Sequence, residues 1–465
     1  MAACSEPSQF PELIFGIAGP IGVDIDAIAS CLTEHLRRVR YDSEVIRLTA
    51  TVASFPSGVD VPPQPDYFAL MKYKIEHGNS LCSRYDPAFF ARIAIDEIRK
   101  RRRAHVPAGS PAPLVGGAAP SDSVPANEPA TRDQTPAADA PLPDPLPERL
   151  AYIIRQFKRP AEIELMRRVY GRQFILLSAY GSAEARKARL EDKIKGSVST
   201  LLRASDVSSH AEKLMERDAS EDDDQSGQQL RDTFHLADVF VDGIDFQKMN
   251  AKVERFINAL FGKTDITPSK AEYGMYAAKS ASLRSADLSR QVGAAIFTGD
   301  GELIAQGCNE VPKALGGTYW DLEEPDFRDV KLGRDPNHNE RQQILRDLFE
   351  RLMMGGLLSD AAMAIGSPAE IVARLTTKSR ASEAKPHEGS LTGARVMDLT
   401  EFGRVVHAEM CAICDAARLG RSIKGATLFC TTFPCHNCAK HIIAAGIKTV
   451  VFMEPYPKSP TRNSC

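Results

Sequence analysis

His407-Ala408-Glu409 and Pro434-Cys435-His436-Asn437-Cys438 lie within one stretch, Val405 to Glu454, and that stretch decides how the rest of the chain is read. One histidine and a pair of cysteines can supply three ligands to a tetrahedral zinc and leave a fourth position open to water, which points to catalysis rather than scaffolding. Glu409, two residues beyond the histidine, is not needed as a ligand and is free to carry a proton beside the metal. The surrounding pattern predicts a helix from Val405 to Leu419, a strand from Ala426 to Cys430, a helix from Cys435 to Ala445 and a strand from Thr449 to Met453. Both ligand segments then fall at helix N-termini, where Pro434 suits a helix start and the helix dipole favours thiolates at Cys435 and Cys438.

Cys411 and Cys414 make a second C-x-x-C, and with Cys435 and Cys438 the spacing approaches that of a four-cysteine structural zinc site. That alternative leaves His407 and Glu409 without a purpose. It also places Cys411 and Cys414 inside a helical run, where small core residues are the simpler reading.

The chain has 465 residues, enough for two to three domains with full cores. Lys+Arg number 58 against 61 Asp+Glu, a balance that argues against nonspecific coating of nucleic acid. Ten cysteines without a regular framework, and no leading apolar segment, point to a reducing compartment, with the cytoplasm as the default. No stretch approaches the length of a membrane span, so no membrane partner is expected.

Ahead of the zinc stretch, the apolar run Leu13 to Ile17 leads into Ala18-Gly19-Pro20-Ile21-Gly22-Val23-Asp24 and a helical pattern from Ile25 to Arg38. Strand, glycine turn and helix are the layout of a phosphate-binding loop, which makes Gly16, Gly19 and Gly22 candidate nucleotide-binding positions. The Lys and Ser/Thr of a working loop are absent, and Asp24 would repel a phosphate. A degenerate nucleotide-binding or structural domain is therefore favoured over a kinase, and an N-capping Asp24 needs no ligand at all. Further strands at Glu44–Leu48, Gln173–Ser178 and Leu236–Val241 alternate with helices, which argues for a doubly wound α/β domain over residues 12–262. Residues 104–147, with eleven prolines and little apolar periodicity, interrupt it as a flexible insertion. Glu221-Asp222-Asp223-Asp224 reads as an exposed acidic loop.

Beyond Thr264 a helix is expected to run to about Leu288. A hairpin follows, with strands Val292–Phe297 and Glu302–Gln306 turning at Thr298-Gly299-Asp300-Gly301. Asn309, at the end of the second strand, is either a turn residue or a grip for a substrate hydroxyl. Residues 313–399, which include Trp320, form an interruption before the zinc helix and fit a lid or partner surface.

H-x-E…P-C-x-x-C is the described signature of the zinc nucleobase deaminases. Residues 268 to 458 resemble the deoxycytidylate deaminase branch of the cytidine deaminase superfamily. The resemblance rests on Phe433-Pro434-Cys435-His436-Asn437-Cys438-Ala439-Lys440, Ile442 to Lys448, Gln291-Val292-Gly293-Ala294 and Gly307-Cys308-Asn309. With the glycine-turn domain in front and the interruption beside Trp320, the whole chain is similar to the bacterial antiviral two-domain deoxycytidylate deaminases. The resemblance implies an α/β chain with an N-terminal doubly wound P-loop-kinase-like domain. An α/β/α cytidine-deaminase-like domain over residues 268–465 would follow. It implies zinc (Zn2+) as cofactor, with His407, Cys435 and Cys438 as ligands and Glu409 shuttling a proton to the pyrimidine. Asn309 would grip the sugar, the Ala408 backbone would contact the base, and Tyr456 would approach the ring. The implied substrates are deoxycytidine nucleotides, dCMP or dCTP or both, drained when phage infects. Implied partners are an inhibitory small RNA, as for some members, and further copies of the chain in a homo-oligomer. Cys411 stands where ordinary deoxycytidylate deaminases carry Asn, and Cys308 where they carry Tyr. The chain also stops soon after Tyr456-Pro457-Lys458-Ser459, where the family continues, so a missing C-terminal piece is expected.

Two other functional classes stay in view. One is deamination of a base within RNA or DNA, which needs a basic groove along the phosphates. The other is a noncatalytic nucleotide- or RNA-sensing protein, against which the intact His407, Glu409, Cys435 and Cys438 weigh.

Overall fold

The computed structural model describes residues 10–63, 65–105, 147–197, 203–219, 230–333, 335–377, 389–392, 394–398 and 402–454. Outside the described residues lie most of the 104–147 insertion, the acidic run Glu221–Asp224, part of the 313–399 interruption, Tyr456 and the tail Pro460–Cys465. The chain forms two compact units, Met1–Ile266 and Thr267–Cys465.

The first unit is built on five parallel strands: β1 (Leu13–Ala18), β2 (Asp42–Ile46), β3 (Leu150–Phe157), β4 (Phe174–Tyr180) and β5 (Val239–Asp242). Their order is β2-β3-β1-β4-β5. The main helices are α1 (Ile25–Arg38), α2 (Tyr67–Arg84), α3 (Phe89–His105), α4 (Pro160–Tyr170), α5 (Ala183–Ser197), α6 (Ala204–Ala219) and α7 (Phe246–Leu260). Every residue of β1 is buried, as a central parallel strand covered on both faces requires. Its side chains alternate between two cores. Leu13, Phe15 and Ile17 pack with Ile28, Leu32 and Leu36 of α1 and Met249, Val253 and Ile257 of α7. Ile14 and Ala18 face Ala91, Ala94 and Ile98 of α3 and Ile163 and Met166 of α4. Helices on both faces of a parallel sheet are the doubly wound α/β arrangement expected from the alternating pattern. The α6 helix, which the pattern left unassigned, packs Val207, Ala211 and Leu214 with Leu190 and Ile194 of α5, Ile75 of α2 and Ile21 of the glycine turn.

Asp24 caps α1, its carboxylate accepting the Ala27 N–H at 3.0 Å and pairing with Arg189 at 2.6 Å. It is held by its own helix rather than turned toward a ligand. Burial alone would raise the Asp24 pKa, but the Ala27 N–H and Arg189 outweigh it and hold the carboxyl below its ordinary value.

The second unit carries a four-stranded sheet of β6 (Gly293–Phe297), β7 (Leu303–Cys308), β8 (Thr427–Cys430) and β9 (Thr449–Phe452), in the order β7-β6-β8-β9. β6 runs antiparallel to β7 and β8, whereas β8 and β9 are parallel. The helices are α8 (Lys270–Ser282), α9 (Pro336–Met354), α10 (Pro368–Thr376), α11 (Ala408–Arg418) and α12 (His436–Ala444). α8 covers one face, with Ala277 and Ala278 against Ala295, Phe297 and Phe429. On the other face, Ala408, Ala412 and Ala416 of α11 and Cys438 and Ile442 of α12 meet Ala294, Ile296 and Ala305.

Several boundaries differ from those expected: β2 is Asp42–Ile46 rather than Glu44–Leu48, β5 is Val239–Asp242 rather than Leu236–Val241, and three helix ends of the second unit are shifted as follows. α8 stops at Ser282, because the Ala286 N–H, which a continuing helix would pair with the Ser282 carbonyl, is taken by the Glu310 carboxylate at 2.7 Å. α11 begins at Ala408 rather than Val405, because Val406 forms an antiparallel bridge with Glu310. Pro434 sits one residue before the N-cap Cys435, outside α12.

Candidate metal centre

Two helix starts define the site. His407 is the N-cap of α11 and Cys435 the N-cap of α12, so both project from the first turns of helices laid side by side on one face of the sheet. The approach of α11 depends on Gly307 in β7: a Cβ there would stand 2.3 Å from the Ala408 carbonyl oxygen and 2.4 Å from the Ala412 nitrogen. Only a glycine admits the helix backbone this close to the strand.

The His407 Nδ1 atom lies 3.3 Å from Cys435 Sγ and 3.4 Å from Cys438 Sγ. All three donor atoms fall within 4.8 Å of one another. Tetrahedral zinc with ordinary bond lengths to nitrogen and sulfur separates such donors by about 3.5 Å, so the set fits that ion. Among the described residues this is the cluster with a metal-holding arrangement, and neither Cys411 nor Cys414 belongs to it. Cys411 is buried, as a small core residue should be, but Cys414 is exposed on α11 and is not part of the core.

The two thiols are coupled. A hydrogen bond from Cys438, followed by one from His407, draws the Cys435 pKa down to about 3, and the same pairing with Cys435 together with burial pushes Cys438 well up. The hydrogen bond to Cys435 raises His407. A divalent cation replaces this shared-proton arrangement by favouring both thiolates and a neutral imidazole. Glu409, in the first turn of α11, is only 3% exposed. Burial raises its pKa, and its carboxyl interacts with the thiols of Cys438 and Cys430. It therefore lies beside the donor cluster.

The remaining expected positions are placed as follows. Ala408 is fully buried as the first residue of α11. Asn309 is committed to the hairpin: its side-chain oxygen accepts the Val292 N–H at 2.6 Å and its amide donates to the Arg290 carbonyl at 2.8 Å. In the first unit Gly16 lies inside β1, where a Cβ would come within 2.9 Å of the Phe157 and Phe174 rings, so packing accounts for it. Gly19 and Gly22 form the turn, and Gly22 needs glycine because its φ is +97°.

Two residues that the pattern left unassigned organise the approach to His407. Glu310 bridges Val406 through its backbone, while its buried carboxylate accepts the N–H groups of Ala286 at 2.7 Å and Val311 at 2.9 Å. Asp287 is close enough to favour the charged form of His407. A carboxylate beside a strand end was visible in Asn309-Glu310, but nothing local pointed it at the zinc helix.

Residues 268–454 match the family model of the cytidine and deoxycytidylate deaminase zinc-binding region. Zinc is therefore the cofactor of this region, with a donor set in place to hold it. Deoxycytidylate deaminase of Enterobacteria phage T2 is 52% identical over 54 residues, which are 12% of this chain. The chain spans 29% of that relative's length. Two solved structures align at low similarity. A dCMP deaminase from the cyanophage S-TIM5 matches at TM-score 0.20 and 20% identity, covering 40% of this chain and 84% of that one. A gluconokinase from Sinorhizobium meliloti matches at TM-score 0.24 and 11% identity, covering 55% of this chain and 99% of that one. Among the described residues no helix is long and apolar enough to cross a membrane.

Proposed function

We propose that the chain catalyses zinc-dependent hydrolytic deamination of a deoxycytidine nucleotide, dCMP or dCTP, to the deoxyuridine nucleotide. The observation that carries the reading is the convergence of His407 Nδ1, Cys435 Sγ and Cys438 Sγ, with the Glu409 carboxyl buried alongside. When bound, zinc supplies a Lewis acid that makes water nucleophilic near neutral pH. His407, Cys435 and Cys438 are the residues that would hold it. Glu409 accepts a proton from the attacking water, delivers it to the pyrimidine N3 and then assists departure of the amine as ammonia. Burial suits that carboxyl to proton transfer, because it narrows the gap between its pKa and neutral pH. Ala408, Asn309 and Tyr456 are assigned to the base, sugar and ring of the substrate by resemblance.

The wider assignments belong to the same proposal. Residues 12–262 form the degenerate P-loop-kinase-like domain and residues 268–465 the cytidine-deaminase-like domain of a phage-defence enzyme of the bacterial two-domain kind. It works in the cytoplasm as a homo-oligomer and is restrained by a small RNA. Support comes from a glycine-turn α/β unit and a deaminase zinc-binding region sharing one chain.

The test is ammonia release from dCMP, dCTP and CMP by zinc-loaded protein, with Glu409→Ala alongside. Activity on a deoxy substrate that vanishes in the variant, with zinc retained, supports the assignment and selects the phosphate state. Protein that holds zinc yet releases no ammonia from any of the three overturns it.

A further inference from the structure

The first unit holds a buried ion pair that deamination does not use. Asp218, near the C-terminal end of α6, is 2% exposed, and Lys158, just beyond β3, is 8% exposed. The carboxylate accepts the Ile21 N–H at 2.5 Å through one oxygen and the Lys158 ammonium at 2.6 Å through the other. Lys158 also donates to the Gly19 carbonyl at 2.8 Å. A carboxylate near a helix C-terminus faces the negative end of the dipole, so its own helix does not favour it there. What holds it is the glycine turn and the lysine.

That turn has a particular location. β1 lies between β3 and β4, at the point where the strand order reverses, and the turn leaves its carboxyl end. In open parallel sheets this is where a ligand crevice forms, and a backbone N–H with an adjacent lysine is an arrangement that holds oxyanions. A cavity of about 110 Å³ opens beside the pair, lined by Lys74, Asn79, Arg155 and Gln156 as well as Lys158 and Asp218. Gln156 has φ +70° where the register of β3 on β1 shifts, a strained bulge of the kind concentrated at binding sites. The α1 N-terminus is not the site, because Asp24 caps it.

We propose that Asp218 is a built-in counter-anion occupying an oxyanion site formed by the Ile21 N–H and Lys158, and that a phosphate group enters only by displacing it. The ligand class is a phosphate-bearing molecule whose oxygens take the two hydrogen bonds now made to the carboxylate, entering past Lys74 and Arg155. The glycine turn is thus an anion site that the chain keeps closed with its own side chain. This assignment concerns the first unit and is independent of the deamination reading.

The experiment uses the full chain and titrates inorganic phosphate, then pyrophosphate, by calorimetry in chloride buffer at constant ionic strength. The proteins are wild type, Asp218→Ala, Asp218→Asn and Asp218→Ala/Lys158→Gln. Asp218→Ala should bind phosphate at least about tenfold tighter than wild type, because the freed N–H and ammonium make charge-assisted hydrogen bonds. Adding Lys158→Gln should remove the gain. Wild type binding as tightly as Asp218→Ala overturns the proposal, as does a folded Asp218→Ala that binds no better. If the alanine variant does not fold, Asp218→Asn carries the same comparison. If neither folds in chloride, cooperative melting restored by phosphate supports the proposal, and failure of phosphate to restore it overturns it.

Discussion

Gly307→Ala tests how the zinc centre is assembled. The added methyl would lie 2.3 Å from the Ala408 carbonyl oxygen, 2.4 Å from the Ala412 nitrogen and 2.9 Å from Cys411 Cβ. A carbon and a carbonyl oxygen in close contact sit about 3.3–3.6 Å apart, so α11 must retreat by roughly 1 Å. His407 and Glu409 ride on the first turn of α11, whereas Cys435 and Cys438 are carried by α12. The retreat therefore separates the imidazole from the thiols. Overpacking of this kind costs about 1–3 kcal/mol of stability, and a 1 Å misplacement at a reacting centre costs about 10²-fold in rate. The assays are urea unfolding, zinc content by atomic absorption and ammonia release. Gly299→Ala, in the hairpin turn with nothing within 4 Å of its would-be Cβ, is the matched control. If Gly307→Ala equals Gly299→Ala in stability, zinc content and rate, the close-approach argument is wrong.

Three further outcomes are expected. Glu409→Gln should keep zinc and lower the deamination rate by about 10²–10⁴-fold, the usual worth of general acid–base catalysis, and an unchanged rate would remove Glu409 from the mechanism. Chelation should make Cys435 and Cys438 newly reactive toward a thiol reagent, with protection restored by zinc; equal reactivity with and without zinc would exclude them as ligands. Asp24→Ala should cost about 0.5–2 kcal/mol at neutral pH through loss of the α1 cap. Because the folded-state pKa of Asp24 lies below its ordinary 3.8, its contribution is present above 3.8 and disappears as pH falls through the lower folded value. The wild-type advantage over Asp24→Ala should therefore shrink in acid, and unfolding curves that show it growing would refute the sign.

What the sequence disclosed depended on the range of the interaction. α1 was readable to the residue, since its cap and apolar period are local. The starts of α11 and α12 were nearly so. The start of α11 moved because Val406 answers to Glu310, a partner almost a hundred residues away that no periodicity reports. α6 carries its apolar positions Val207, Ala211 and Leu214 at helical spacing, but what fixes it is packing on Ile21, Ile75, Leu190 and Ile194 from other parts of the chain, which its own composition does not announce. At the zinc centre the three donors and Glu409 stood in the motif itself. The role of Gly307 was hidden, because a strand glycine declares a close approach only when the approaching helix is known. Asp218 was hidden for the same reason: its partners Ile21 and Lys158 come from distant parts of the chain.

The position of β1 sets the order in which the first unit can be completed during synthesis. It is the central strand, yet its neighbours β3 and β4 begin at Leu150 and Phe174. At about 5–20 residues per second, the roughly 130 residues from Ala18 to Leu150 take on the order of ten seconds to emerge. For that interval Leu13-Ile14-Phe15-Gly16-Ile17-Ala18 has both edges unpaired and only α1 and α3 on hand to cover its faces, since α4 and α7 are still to come, which leaves it a ready template for another nascent chain. Lengthening the segment between β2 and β3 adds little to the free energy of closing that loop, because the cost grows only logarithmically with length. It adds in direct proportion to the waiting time. The vulnerability of this fold is therefore kinetic, and it is set by how much chain is translated before the centre of the sheet acquires its neighbours.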